Sequence, residues 1–315
     1  MTASRIFVYE YLSGAGQGAD ADRELQDAGR AMRDALVNEL ALRPGLGVAY
    51  GCAAGVAPAP FGSALRPRAG ESALDFVRRE APRHDRVWVV APESGGVLER
   101  MAMLVDPARW VGCGLEAIRI GASKSATLAR LAAQGLATPL AFEAAADAWV
   151  VKPDDGAGTL DTRRHASRAA AEADLQQRQA RGLPATLEPW VEGEALSLSL
   201  LCRDGDAELL AINRQRIAVD ATGVLRDEGV RVACIGRGDV LAAPLAALAR
   251  AVAQAIPGLR GYVGVDLVWH PVRGPVAIEV NPRLTCSFVG LSAALGRSIA
   301  AEVLALHDEV ADAAA

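Results

Sequence analysis

Near the start of the chain, apolar residues fall in short, near-continuous runs at 6–9, 47–52 and 86–91. Runs without polar alternation predict strands buried on both faces. Between them, 22–42 and 72–79 carry the amphipathic period of helices. Strands alternating with helices in this way predict a parallel sheet covered by helices, with ligands beyond the carboxyl ends of its strands. Two loops occupy that edge, 10–18 and 92–96, and neither has the glycine spacing of a dinucleotide fingerprint. Ser13 and Glu93, one in each loop, are the candidates there for recognising an amine or carboxylate substrate.

Beyond a linker at 110–120 the pattern changes. A helix opens near 121 with Ser123 as N-cap and stops before Gly135, and a strand at 149–153 runs into a polar glycine-bearing loop at 154–159. The segment 187–194 leads into 196–201, whose period of two marks a half-buried strand. Further antiparallel strands are expected at 208–213 and 216–219, a helix at 242–255, and two last strands carrying Asp266 and Glu279. No internal repeat is present, and no low-complexity tract beyond an alanine bias.

Those last strands carry the chemistry. Glu279 and Asn281 stand at i and i+2, on one face of a strand, and Asp266 on a neighbouring strand can join them. Two carboxylates and an amide oxygen are hard donors suited to Mg²⁺ beside a phosphorylated substrate, with Mn²⁺ as an alternative. Arg283 follows Pro282, where the strand must end, and is expected to leave its guanidinium free for a phosphate. Lysines are rare in this arginine-rich chain, yet Lys124 opens a helix and Lys152 ends an apolar strand beside the glycine loop. Compact ammonium charges in those places suit phosphate oxygens, and the 154–159 loop is expected to close over them. No Walker A sequence occurs.

Composition narrows the alternatives. At 315 residues, 51% apolar and 23% charged, the chain has ordinary globular usage and room for about two domains. A net charge of -5 with dispersed basic residues argues against a nucleic-acid surface. Five cysteines without a C-x-x-C pair imply neither a zinc site nor a disulfide framework. The expectation is a cytoplasmic protein acting on small molecules, without nucleic-acid or membrane partners; a homodimer is left open.

In this order, Lys124, Val-Val-Lys152-Pro, Glu188-Pro-Trp-Val-Glu-Gly, Asp266 and Glu279-Val-Asn-Pro-Arg283 resemble the ATP-grasp superfamily from about residue 110 onward. The resemblance implies an α/β (α+β) chain: an ATP-grasp fold behind an amino-terminal parallel α/β pre-ATP-grasp domain. The divisions expected are 1–110 for that first domain, 111–195 for the lid subdomain and 196–315 for the metal-binding subdomain. It also implies that Lys124 and Lys152 contact ATP phosphates, that Glu188, Trp190 and Val191 form the hinge around adenine, and that Arg283 faces the transferred phosphate.

Two positions depart from the wider pattern. The acid near the hinge glycine is Glu194, the ribose-ligand candidate at the ATP site, but it comes one residue earlier than usual, and on a strand that turns it to the other face. The arginine that D-alanine ligases carry two residues before the metal aspartate is Gly264 here, leaving Arg214, Arg231 and Arg283 as substitutes to clamp the acyl phosphate. Stretches at 7–14, 91–96, 212–215 and 281–290 are similar to tyramine–glutamate ligases of methanofuran biosynthesis and their bacterial relatives. That similarity implies ADP-forming amide synthesis through an acyl phosphate, joining glutamate to tyramine or a tyrosine-like amine for a one-carbon carrier. The alternatives are a small-molecule kinase on the same fold, or a ligase for a different amino acid pair.

Overall fold

The computed structural model describes residues 4–15, 23–156, 158–203, 205–236 and 238–314. Of the positions singled out above, Gly16, Gly18, Asp22 and Ala157 lie outside them. Three sheets organise the chain. In the first, β1 (Ser4–Glu10), β2 (Leu46–Gly51), β3 (Ser63–Leu65), β4 (Arg86–Val90) and β5 (Trp110–Val111) run parallel in the order β3-β2-β1-β4-β5. Ile6, Phe7, Val8 and Tyr9 are fully buried along β1, as an unbroken apolar run requires when helices cover both faces. The helices are α1 (Tyr11–Ala15), α2 (Arg23–Ala41), α3 (Ala73–Glu80) and α4 (Val97–Leu104). Ser72 caps α3 by accepting the Asp75 N–H at 3.1 Å. Met32, Leu36, Val37 and Leu40 turn one stripe of α2 onto the sheet.

The expected linker at 110–120 is structured. It holds β5, only two residues long, and most of α5 (Leu115–Gly121), which leads into α6 (Lys124–Ala133). A second sheet, antiparallel in the order β7-β6-β8, is formed by β6 (Trp149–Pro153), β7 (Arg163–His165) and β8 (Ala185–Pro189), backed by α7 (Arg168–Ala180). Its small core is Trp149, Val151 and Ala171.

The third sheet is antiparallel in the order β11-β10-β9-β12-β13. Its strands are β9 (Glu194–Arg203), β10 (Asp206–Val219), β11 (Leu225–Ile235), β12 (Gly261–His270) and β13 (Gly274–Asn281). Helices α8 (Ala242–Ala255), α9 (Leu291–Leu295) and α10 (Ile299–Ala314) complete the fold. The two strands expected at 208–213 and 216–219 are one continuous β10, with register shifts between Ile212 and Arg214 and between Gln215 and Ile217. Those irregularities break the sequence period without breaking the strand. Among the described residues, no helix is long and apolar enough to cross a membrane.

Candidate active site

The second and third sheets close on a cleft of about 220 Å³, lined by residues from β6, β8, β10, β12 and β13. The sequence contains two lysines among its 33 basic residues, and both line this cleft. Each is buried, and burying an ammonium is costly unless it is paired. Lys124 meets the carbonyl of Gly156 and Glu279 Oε1, the latter at 3.0 Å. Lys152 meets Glu188 Oε1. Lys124 at the start of α6 thus reaches a carboxylate on β13, and Lys152 on β6 reaches one on β8.

Local sequence explains how Lys124 is held. Ser123 caps α6, accepting the Ala126 N–H at 3.1 Å while its hydroxyl donates to Asp154 Oδ2 at 2.6 Å. Asp154 Oδ1 takes the Ser125 N–H at 2.9 Å. Partial burial raises the Asp154 pKa, but the hydrogen bonds from Ser123 and Ser125 outweigh it and leave the carboxyl below its ordinary range. The glycine loop is therefore fastened to the start of α6. Asp155 Oδ2 also accepts the Gly95 N–H at 2.8 Å, and Thr159 Oγ1 accepts the Asp227 N–H at 3.1 Å. Gly158 and Thr159 of this loop line the cleft.

At the hinge end, Glu188 is buried and its Oε2 has no hydrogen-bond partner among the described residues. The Trp190 indole N–H is likewise without one, and both residues line the cleft. Burial pushes the Glu188 carboxyl up, and Lys152 only partly pulls it back. An unmet acceptor and an unmet donor on one wall are costly unless a ligand supplies the partners. The Arg164 guanidinium lies 5.4 Å from the Trp190 ring centroid.

At the opposite end, Asp266 and Glu279 are direct cross-strand neighbours. The register shifts at the next pair, leaving Ile278 as an extra residue, so Ile278 and Glu279 both line the cleft. Asn281 Nδ2 donates to Asp266 Oδ2 at 3.0 Å. Burial, and then the nearby Glu279, pushes the Asp266 carboxyl up to about 7. Two crowded carboxylates beside an amide oxygen are a donor set that a hard divalent cation would neutralise, so Asp266, Glu279 and Asn281 fit the expected cation.

Residues 121–287, more than half of the chain, match the model of an ATP-grasp domain, and 56–118 match a pre-ATP-grasp domain. The chain belongs to the ATP-grasp family. The expected enzyme class, an ADP-forming ATP-dependent ligase, stands with that membership. Among solved structures, the fold is similar to that of an ATP-grasp superfamily protein from Archaeoglobus fulgidus, at 20% identity and TM-score 0.67 over 96% of this chain and 88% of that one. An L-amino acid ligase from Bacillus licheniformis is 18% identical, with TM-score 0.69 over 96% of this chain and 74% of that one. A D-alanine–D-alanine ligase from Bacillus anthracis is 16% identical, with TM-score 0.70 over 99% of this chain and 100% of that one. No curated protein matches the chain.

Within this ATP-grasp fold the sequence-named residues divide. Lys124, Lys152, Glu188, Trp190, Val191, Asp266 and Glu279 line the cleft, and Asn281 bonds to Asp266. Arg283 is close by but not free, correcting the sequence expectation. Its Nε and Nη2 hold the Glu93 carboxylate at 2.8–3.0 Å, Nη1 donates to the Leu284 carbonyl at 3.1 Å, and Nη2 reaches Asn281 Oδ1 at 3.4 Å. Glu93, from the loop after β4, is thereby brought beside Asn281.

Arg214, Arg231 and Glu194 are not brought there. Arg214 Nε pairs with Glu194 Oε1 at 2.5 Å, both side chains are about two-fifths exposed, and Arg231 is exposed across from Arg214 on β11. Strand alternation is the reason: Ala195 and Gln215 take the cleft side, so Glu194 and Arg214 leave it. Ser13 is buried elsewhere, donating its N–H to Glu10 Oε2 at 2.7 Å and accepting the Ala53 N–H at 2.8 Å through its carbonyl. The missing arginine at 264 has a steric reason, since a Cβ there would meet Thr285 Cγ2 at 2.6 Å. Sequence reasoning missed Gln215, whose Nε2 donates to Asp266 Oδ1 at 2.8 Å. Its signal was its place on the Ile217 side of the strand, opposite Arg214.

Proposed function

We propose that this protein is a carboxylate–amine ligase that uses ATP to make an amide, joining glutamate as the acid to tyramine or a tyrosine-like amine as the nucleophile. What supports this most is that Lys124 and Lys152 line one cleft with Asp266 and Glu279, Lys124 bonding to Glu279 and Asn281 bonding to Asp266. A carboxylate is a poor electrophile. Its oxygen attacks the terminal phosphorus, the bond to ADP breaks, and the resulting acyl phosphate is open to the amine; attack at the carbonyl carbon then expels phosphate and the amine gives up a proton. A divalent cation bound by Asp266, Glu279 and Asn281 would offset phosphate charge.

The side chains supply the rest. Lys124 and Lys152 trade their carbonyl and carboxylate partners for phosphate oxygens and stabilise charge on the transferring group. Glu188 Oε2 and the adjacent hinge offer acceptors to the exocyclic amine of adenine. The 154–159 loop excludes water from the acyl phosphate, which water would otherwise hydrolyse. The sequence stretches at 91–96 and 212–215 support the glutamate and tyramine choice by resemblance, with the cytoplasm as the setting. Mass spectrometry of ATP, Mg²⁺ and glutamate with a panel of amines tests it. The expected product is a glutamyl amide with equimolar ADP; amide formation from other amino acids and none from glutamate would leave the ligase and remove the substrate.

A further inference from the structure

Gln215 approaches the cation residues from a strand that is not adjacent to theirs. Strand β9 lies between β10 and β12, with Ser197 paired to Asp266 on one side and to Asn213 on the other. Ser197 and Ala195 are small, which leaves a path over β9 for a long side chain. Through it Gln215 Nε2 donates to Asp266 Oδ1 at 2.8 Å, while Asn281 Nδ2 donates to Oδ2 at 3.0 Å. Each oxygen of one carboxylate is thus held by a different neutral amide. Arginines stand on both sides of Gln215 in sequence, but Arg214 is turned to Glu194 and Arg216 to the Glu228 carbonyl, so neither places a cation on Asp266. Gln215 is half-buried at the cleft wall.

We propose that Gln215 is the positioning residue for Asp266, fixing the rotation of its carboxylate for a divalent cation, and that its contribution is to cation affinity and not to fold stability. The proposal rests on reading Asp266, Glu279 and Asn281 as the cation ligands. An amide suits the task because it orients the carboxylate without neutralising it, whereas an arginine or lysine would compete with the cation for the same charge. Asn281 is itself a ligand in that reading and also accepts from Arg283 at 3.4 Å, whereas Gln215 stands outside the ligand set.

Calorimetric titration of Mn²⁺ into the full chain, saturated with a non-hydrolysable ATP analogue, measures this directly. Gln215→Met keeps the length and removes the donor, and Gln215→Leu is a second variant of different shape. Both are expected to weaken Mn²⁺ binding by about 10–100-fold, the usual cost of losing a partner behind a metal ligand. Their denaturation midpoints should match the parent, and excess Mn²⁺ should restore turnover with the KM for ATP unchanged. Mn²⁺ affinity within about twofold of the parent in both variants, or a loss accompanied by a lowered midpoint that excess Mn²⁺ does not rescue, overturns the proposal. Asp266→Asn separates the two levels. If it too binds Mn²⁺ like the parent, the ligand assignment falls and takes the proposal with it; if it loses binding while the Gln215 variants keep it, the proposal alone falls.

Discussion

Arg283 holds both carboxylate oxygens of Glu93, a residue 190 positions earlier in the chain, with contacts of 2.8–3.0 Å. The pair joins the loop after β4 to the end of the strand that carries Glu279 and Asn281. Both side chains are largely withdrawn from water, so neither charge can be left alone cheaply. Glu93→Ala should destabilise the protein by about 3–5 kcal/mol, the cost of an uncompensated buried charge, and Glu93→Leu combined with Arg283→Leu should cost less than the first change alone. Denaturant titration of the three proteins checks this; a double variant less stable than Glu93→Ala would contradict it.

Arg214 makes the opposite case. Its partner Glu194 shares an exposed surface, where ion pairs contribute about 0–1 kcal/mol, and neither lines the cleft. Arg214→Ala should leave the KM values for ATP and acid unchanged and the denaturation midpoint nearly so. A rise in the KM for the acid would return Arg214 to the substrate site.

A chain with two lysines offers an unusual chemical probe. Reductive methylation can reach only Lys124, Lys152 and the amino terminus, and both lysines line the cleft. Mg²⁺ with an ATP analogue should slow modification of both side chains while leaving the amino terminus unaffected, as read by peptide mass spectrometry. Lysines labelled at the same rate with and without nucleotide would contradict their role at the phosphates.

The raised pKa of Asp266 fixes the sign of a pH effect. Burial and Glu279 bring its carboxyl up to about 7, so the folded state favours the protonated form more than the unfolded chain does. Its contribution to stability is complete below the ordinary carboxylate pKa of about 4 and is lost as pH rises through about 7. Cation binding runs the other way, because the ligand must be deprotonated. Mn²⁺ affinity should therefore tighten up to about tenfold per pH unit below 7 and level off above it, and Asp266→Asn should flatten the profile. An affinity independent of pH across that range would contradict the placement of Asp266 in the cation site.

Much of this site was legible before any coordinates. Lysine rarity picked out Lys124 and Lys152, and the i, i+2 spacing of Glu279 and Asn281 put them on one side of a strand. Glu194 stood among the ATP-ligand candidates although strand parity turned it to the other face, and it pairs with Arg214 at the surface, away from the cleft. What stayed hidden depends on contacts between distant segments. Nothing near Arg283 in sequence announces Glu93, and nothing near Asp266 announces Gln215, since each pairing exists only once the strands are ordered. Short elements were hidden for a different reason: two residues of β5 between loops carry no period to read, so 110–120 looked like a linker.

If the protein activates a carboxylate as an acyl phosphate, hydroxylamine will intercept it. With ATP, Mg²⁺, glutamate and hydroxylamine in place of the amine, the account predicts a glutamyl hydroxamate formed in step with ADP, and its loss in Glu279→Gln. ADP accumulating with a stable phosphorylated product and no hydroxamate, whichever carboxylate is supplied, would contradict it and identify a kinase.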